Sequence, residues 1–462
     1  MKNETLFSDF DAVSTKQWKQ KIQFDLKGAD YNDTLVWESI EGIKVKPFYD
    51  ASDRSNTTSF SLPKDHSWKI GEAIYTGNPK LANERALQVL SKDVQSLVFQ
   101  IPDGSISMAE LLSGIDLTNP SIHFELGFLD PDFFKNLLSE FTLEGTNIHF
   151  NVDIIGNLAR SGNWFDSLKK DHQFLEETVR ISNDYSLTSV LSVDMALYQN
   201  AGANCVQQLA YALAHANEYL NHFDNTKAKE KPVVFDVAIG QNYFFEIAKL
   251  QALRLLWQNL SSEYGLNHDC HIKAIPSKRN KTLYDYNVNM LRSTSECMAA
   301  ILGGANTVCN LPYDAIYHKE NEFGTRTARN QLLLLKEESY FQEAVHAAGG
   351  SFYLNSLINQ MSEKALILFK QLEAGGGFLE NLKNGTIQRK IKENAKKEQE
   401  LFDSKDTTLV GTNKYINEDD RMSQDLELYP FLKKKKKQTI IEPILEYRLA
   451  EGIEQNRLKQ ES

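Results

Sequence analysis

Residues 233–277 read VVFDVAIGQNYFFEIAKLQALRLLWQNLSSEYGLNHDCHIKAIPS. The opening run, Val233 to Ile239, is β-branched and apolar, as a buried strand requires. From Asn242 to Leu260 the apolar residues Phe245, Ala248, Leu255 and Leu256 recur at helical spacing. His271 to Ser277 then returns to a strand pattern. No two-residue hairpin signal joins the two strands, so the chain must cross over through the helix, and the strands lie parallel. Outward from this unit the same alternation recurs. Strand patterns fall at 67–76, 96–101, 121–126, 147–154, 187–195 and 307–313, and a second clear helix runs from Ala203 to Leu220 with Val206, Leu209, Ala210 and Leu213 on one stripe. Eight strand-helix units suffice to close a cylinder. The predicted fold is α/β: a (β/α)8 TIM barrel over residues 61–345, with both helices covering the sheet on one side.

Two flanking regions frame the barrel. Residues 1–60 include KIQFDLKGADYNDTLVWESIEGIKVKPFYD (21–50), too hydrophobic for a free tail yet without one period, and are predicted to form an extended arm. Residues 346–462 are predicted to form a helical extension and a polar C-terminal tail. Its two helices, Phe352 to Ala374 and Asn381 to Phe402, are separated at Gly375-Gly376-Gly377. Lys433 to Lys437 form a lysine run, read as a solvated loop in preference to a phosphate- or membrane-binding patch.

The chain has 462 residues, 41% hydrophobic and 24% charged, the composition of an ordinary globular protein. Its 51 Lys and Arg against 62 Asp and Glu leave a formal charge of -11, which argues against nucleic acid as a partner. Cys205, Cys270, Cys297 and Cys309 lie far apart with no C-x-x-C pair, as expected in a reducing compartment. With neither a signal-peptide pattern nor a run of 18 apolar residues, the expectation is a cytoplasmic protein with no membrane partner.

Function in such a barrel resides in the loops after the strands. Asp153, Asp194 and Asp236 close the fourth, fifth and sixth strands. Three acids at one rim can hold a divalent cation, but the preferred reading is helix capping and loop closure. Ser277, Lys278 and Arg279 after the seventh strand offer a phosphate grip, against the ordinary reading of basic loop residues. Asp269, His271 and Ala274 nearly spell D-x-H-x-x-G, a pattern by which cobalamin domains place an imidazole under cobalt. The final glycine is missing, and His271 opens a strand, where its ring faces the core or the barrel bottom. From composition and spacing alone, no catalytic, cofactor-binding or metal residue is assigned.

Several stretches, spread from residue 18 to residue 457, are similar to the methylmalonyl-CoA mutase family. They include Lys27-Gly28 with Tyr31, Trp37 and Pro47; Asn200-Ala201-Gly202-Ala203 leading into Gln208 to Ala214; and Ile239-Gly240 with Asn242-Tyr243 and Glu246 to Lys249. Gly303-Gly304-Ala305, Ala348 to Tyr353, Gly411 to Tyr415 and Arg448-Leu449-Ala450 come next in the family's order. That family interconverts methylmalonyl-CoA and succinyl-CoA through an adenosylcobalamin radical. The resemblance also implies departures from its catalytic chains. Ala196 or Leu197 stands where they carry a histidine after the fifth strand, and Lys273 where a histidine meets the thioester carbonyl. Tyr75-Thr76-Gly77-Asn78-Pro79 replaces a segment whose tyrosine positions substrate, and a cobalamin-binding domain is not expected. The resemblance therefore implies a small, catalytically silent subunit of a heterodimeric isomerase. A homologous large subunit would hold adenosylcobalamin and acyl-CoA, and the arm, with Trp18, Phe24, Leu26, Trp37, Phe48 and Tyr49, would supply subunit contact, the alternative being that it packs back onto its own barrel. The alternative is a stand-alone acyl-CoA-binding barrel without turnover.

Overall fold

The structure is a computed structural model and describes residues 10–53, 62–63, 65–140, 145–184, 188–223, 231–266, 269–432 and 438–461. Lys433 to Lys437 lie outside the described residues.

The arm contributes a helix, Thr15–Asp25, a short helix, Tyr31–Leu35, and a hairpin of β1 (Trp37–Glu38) and β2 (Lys44–Val45). The barrel follows as β3 (Lys69–Tyr75), β4 (Ser96–Ile101), β5 (Ser121–Leu126), β6 (Asn147–Val152), β7 (Ser189–Asp194), β8 (Val233–Ile239), β9 (His271–Pro276) and β10 (Thr307–Cys309). Every neighbouring pair is parallel, and β10 closes on β3 through Thr307 opposite Lys69. The predicted (β/α)8 barrel is therefore present. The last strand is shorter than its sequence pattern: pairing stops at Cys309, and Leu311 to Tyr313 continue as loop.

Alternation by twos sends Ile122, Phe124, Ile148, Phe150, Phe235 and Val237 outward under the helices, where they join one continuous apolar core. Helices Cys205–Phe223 and Tyr243–Glu263 depart from the expectation of one-sided burial, since their buried residues run round most of the circumference. The reason is a second layer. Helix Phe352–Ala374 packs on the outside of both, so an additional face of each is removed from water.

The break at Gly375 to Gly377 is real. Gly376 and Gly377 sit at φ +100° and +85°, a region L-residues avoid. The second predicted helix is two: Gly377–Lys383 and Thr386–Asp403, separated at Gly385. Residues 438–461 return to the barrel despite their polar composition. Ile441 and Ile444 enter the core, and the Ile444 N–H donates to the Ala159 carbonyl at 2.8 Å. Arg448 and Glu454 form a buried ion pair at 2.6 Å, and helix Glu451–Glu461 is the last element of the described residues. No helix among the described residues is long and apolar enough to cross a membrane. All four cysteines are free and buried.

Candidate functional site

At the carboxyl ends of the strands, Ala73, Val98 and Ser192 are too small to fill the lumen, and a cavity of about 480 Å³ opens above them. That volume is in the range of small-molecule sites. Its floor is ionic. Lys273 of β9 pairs with Glu125 of β5 and lies 2.9 Å from Asp236 of β8. In the closed order β10-β3-β4-β5-β6-β7-β8-β9, strands β5 and β9 stand four places apart in either direction. The Lys273–Glu125 pair therefore spans the barrel axis from wall to wall. Gln100 donates a further hydrogen bond to Glu125 at 3.1 Å.

The electrostatics follow from one ammonium between two acids in a poorly solvated lumen. Burial pushes the Asp236 carboxyl up to about 7, with Glu125 and Asp194 adding to it and Lys273 opposing. Burial raises Glu125 too, but Lys273 outweighs it and holds that carboxyl below its usual range. For Lys273 burial favours the neutral amine, and the two carboxylates reverse this, so it stays protonated. The nearby Cys309 thiol is raised by burial to about 12 and is no nucleophile. A carboxyl near neutrality in a cavity is a general-acid signature. Here its neighbour is an ammonium that keeps its own proton.

The three rim acids are each spoken for. Asp153 caps helix Ile154–Ser161 by accepting from the Gly156 N–H at 2.7 Å, and also accepts from Tyr219 Oη and the Asp194 N–H, both at 2.8 Å. His215 Nε2 lies 2.9 Å from it. Burial works against the ionised form of Asp153, but His215 and the backbone donors hold it below its usual value. Asp194 pairs with Arg160, whose other nitrogen meets Glu446 at 2.5 Å. Asp153 is thus a helix cap, whereas Asp194 and Asp236 are engaged by Arg160 and Lys273.

The loop after β9 is likewise tied down. Ser277 donates to Asn200 Oδ1 at 2.9 Å, as does the Lys278 backbone N–H at 3.2 Å. Arg279 is buried against Glu398 at 2.7 Å and the Tyr447 carbonyl at 3.0 Å. Ala196 lines the cavity while Leu197 is fully buried, so a methyl group faces the mouth after β7. After β3 the chain makes only Thr76 to Asn78 before Asn78 caps helix Pro79–Leu90, and Tyr75 is exposed. His271 begins β9 at the lower end of the lumen, its Nε2 3.1 Å from Thr307 Oγ1, where the strand register put it. Among the described residues lining the mouth there is no histidine.

The Lys273–Glu125 crossing and the Arg160 bridge were not singled out from sequence. The available signal was the inward set of β5 and β6, Ser121, His123, Glu125 and His149, Asn151, which alternates with Ile122, Phe124, Ile148 and Phe150. That pattern marks a polar lumen.

A family model described as methylmalonyl-CoA mutase matches residues 105–455. The methylmalonyl-CoA mutase small subunit of Porphyromonas gingivalis is 32% identical over 448 residues, covering 90% of this chain and 71% of that protein. The methylmalonyl-CoA mutase of Cereibacter sphaeroides is 28% identical over 456 residues, covering 86% of this chain and 64% of that protein. The methylmalonyl-CoA mutase large subunit of P. gingivalis is 32% identical over 371 residues, covering 76% of this chain and 48% of that protein.

Proposed function

The chain belongs to the methylmalonyl-CoA mutase family, and from that premise we propose that it is the small, catalytically silent subunit of a heterodimeric mutase. In this reading it supports a homologous large subunit that carries adenosylcobalamin and interconverts methylmalonyl-CoA and succinyl-CoA. The observation that carries the reading is the Lys273–Glu125 pair across the barrel axis. Lys273 stands where the resemblance puts the histidine that meets the thioester carbonyl, and its ammonium is committed to two carboxylates. The residues at the mouth also fit adenosylcobalamin poorly. No imidazole faces it among the described residues, His271 points into the lower lumen, and the backbone of Ile440 to Leu449 runs along the rim, hydrogen-bonded to Gly162, Ala159 and Arg279.

The contact with the large subunit is assigned to the first part of the arm. Trp37 and Tyr49 rest on this chain's own Phe245 and Tyr353, with ring centroids 5.7 and 5.2 Å apart, and Ile43 is fully buried. Helix Thr15–Asp25 has no buried residue, and Trp18 and Phe24 are 50% and 78% exposed. An apolar surface left wet in this way suits a partner. That one organism carries both a small and a large subunit of this family agrees with such a pairing.

The test is turnover by this chain alone, by the large subunit alone, and by the two co-expressed, each with adenosylcobalamin. Turnover confined to preparations containing the large subunit is expected, and product from this chain alone overturns the proposal. In the same system the double change Trp18→Ala with Phe24→Ala should lower co-purification at least tenfold. Unchanged recovery moves the contact elsewhere. The cavity supports a second reading, a stand-alone acyl-CoA-binding barrel, for which tight binding of CoA by the isolated chain is the discriminating result.

A further inference from the structure

The lower half of the lumen holds three imidazoles that the proposed function does not use. His123 of β5 and His149 of β6 are in register and stacked, with centroids 4.3 Å apart and planes within 5°. His271 of β9 closes against both at 5.1 and 4.7 Å. One nitrogen from each ring lies within 4.8 Å of the other two. His123 and His149 are 0% and 1% exposed. Among the described residues, Nε2 of His149 and the buried hydroxyls of Ser96 and Ser121 have no hydrogen-bond partner, while the His123 ring interacts with the Asn151 side chain. Buried polar atoms are satisfied in the great majority of cases, and here the free nitrogen of His149 sits level with His123, one inward position above Ser121 on β5.

We propose that His123, His149 and His271 form a binding site for a divalent transition cation of the zinc class. The surrounding hydroxyls suit that role. Ser189 Oγ lies 2.8 Å from His149 Nδ1 and Thr307 Oγ1 3.1 Å from His271 Nε2. Accepting those ring protons leaves His149 Nε2 and His271 Nδ1 as lone-pair donors, the outer-shell arrangement that orients metal-binding imidazoles. Zinc–nitrogen bonds of roughly 2.0–2.1 Å require donor atoms about 3.3 Å apart in a tetrahedral site. Closing from within 4.8 Å to that spacing requires ring rotations that unstack His123 from His149. The fixed charges acting on these rings are Arg254, Lys273 and Lys69, of which Arg254 is paired with Asp269. Lys273 is offset by Glu125 and Asp236 just above, and neutral imidazoles favour a borderline metal over oxygen-seeking magnesium or calcium. Since β5 and β9 are opposite walls, the ion ties the barrel across its diameter at the end away from the mouth.

The full chain is refolded with Co²⁺ or Zn²⁺ and desalted. About one equivalent of metal is expected, with visible cobalt bands of a four-coordinate site and X-ray absorption of the zinc form showing three imidazole ligands. His149→Phe keeps the ring stack and removes a donor, and His271→Asn keeps volume and polarity. Each should weaken binding at least 100-fold, while His222→Gln, on the exposed His172–His222 pair, should not. Retention below a tenth of an equivalent by the native chain, two or fewer imidazoles in the zinc spectrum, or equal binding by either lumen variant overturns the proposal and leaves trapped water as the occupant. The spectroscopic count on the native chain stands even where a variant fails to fold.

Discussion

Lys273 and His66 show how one side chain's surroundings set its contribution. Lys273 neutralises two acids in a lumen with little solvent, and removing one partner from a buried ion pair leaves the other charge uncompensated. Lys273→Met should therefore cost about 3 kcal/mol in denaturant unfolding, toward the lower end of the range for such deletions because Glu125 and Asp236 keep some solvent contact. Adding Glu125→Gln and Asp236→Asn to that variant should restore most of the loss. His66 sits near Arg254, Asp269 and His346 and engages the Ala305 backbone. Burial first, and Arg254 second, lower its pKa to about 4. The unfolded chain has the ordinary value near 6.5 and so binds more protons between those limits. The contribution is intact above 6.5 and disappears as pH falls toward 4. Thermal midpoints at pH 7 and pH 4.5 should differ less for His66→Gln than for the native chain. An unchanged difference removes His66 from the acid response.

Among the elements, the helices beyond the barrel change what the barrel helices are. Phe378, in Gly377–Lys383, is fully buried and stacks on His215 at 5.1 Å while meeting Tyr198 at 6.0 Å. His215 in turn reaches Asp153, so the extension is linked through two rings to the rim of the lumen. Truncating such a ring leaves a cavity as well as lost contact. Phe378→Ala should lower stability by about 3–5 kcal/mol and do so in one cooperative transition. A separate early transition for the extension would show that the layers fold independently. Helix Tyr243–Glu263 carries a second fully buried pair, Glu246 with Lys249 at 2.5 Å. The ammonium also donates to Gln208 at 3.0 Å and to the Ala238 carbonyl at 2.9 Å. Such a pair is tolerable because every donor of the lysine has an acceptor.

Across the whole molecule, residues 438–461 strap the carboxyl-terminal region to the barrel. Arg448 donates to the Lys281 carbonyl at 2.9 Å and to Pro430 at 3.2 Å besides pairing with Glu454, which accepts from the Leu283 N–H at 2.8 Å. Arg448→Met should free this strap and speed proteolysis within residues 438–461 at least tenfold while leaving the barrel core resistant. Unaltered cleavage would place the holding energy in Ile441 and Ile444 instead.

The eight strands and the parallel closure were legible because both depend on local periodicity: β-branched runs with period two, separated by helical stretches long enough for a crossover. The break at Gly375 to Gly377 was legible for the same local reason. The family resemblance rested on many short matches in order and located Lys273, though not its role. Everything beyond the sequence's reach was decided by residues far apart in it. Glu125 and Lys273 meet because strands four places apart face each other in a closed cylinder. His123, His149 and His271 converge for the same reason. The two-sided burial of Cys205–Phe223 and Tyr243–Glu263 depends on the helix Phe352–Ala374, more than a hundred residues further on. Periodicity records which face of an element is apolar; only closure and layering in three dimensions decide which polar faces meet, and whether their charges find partners.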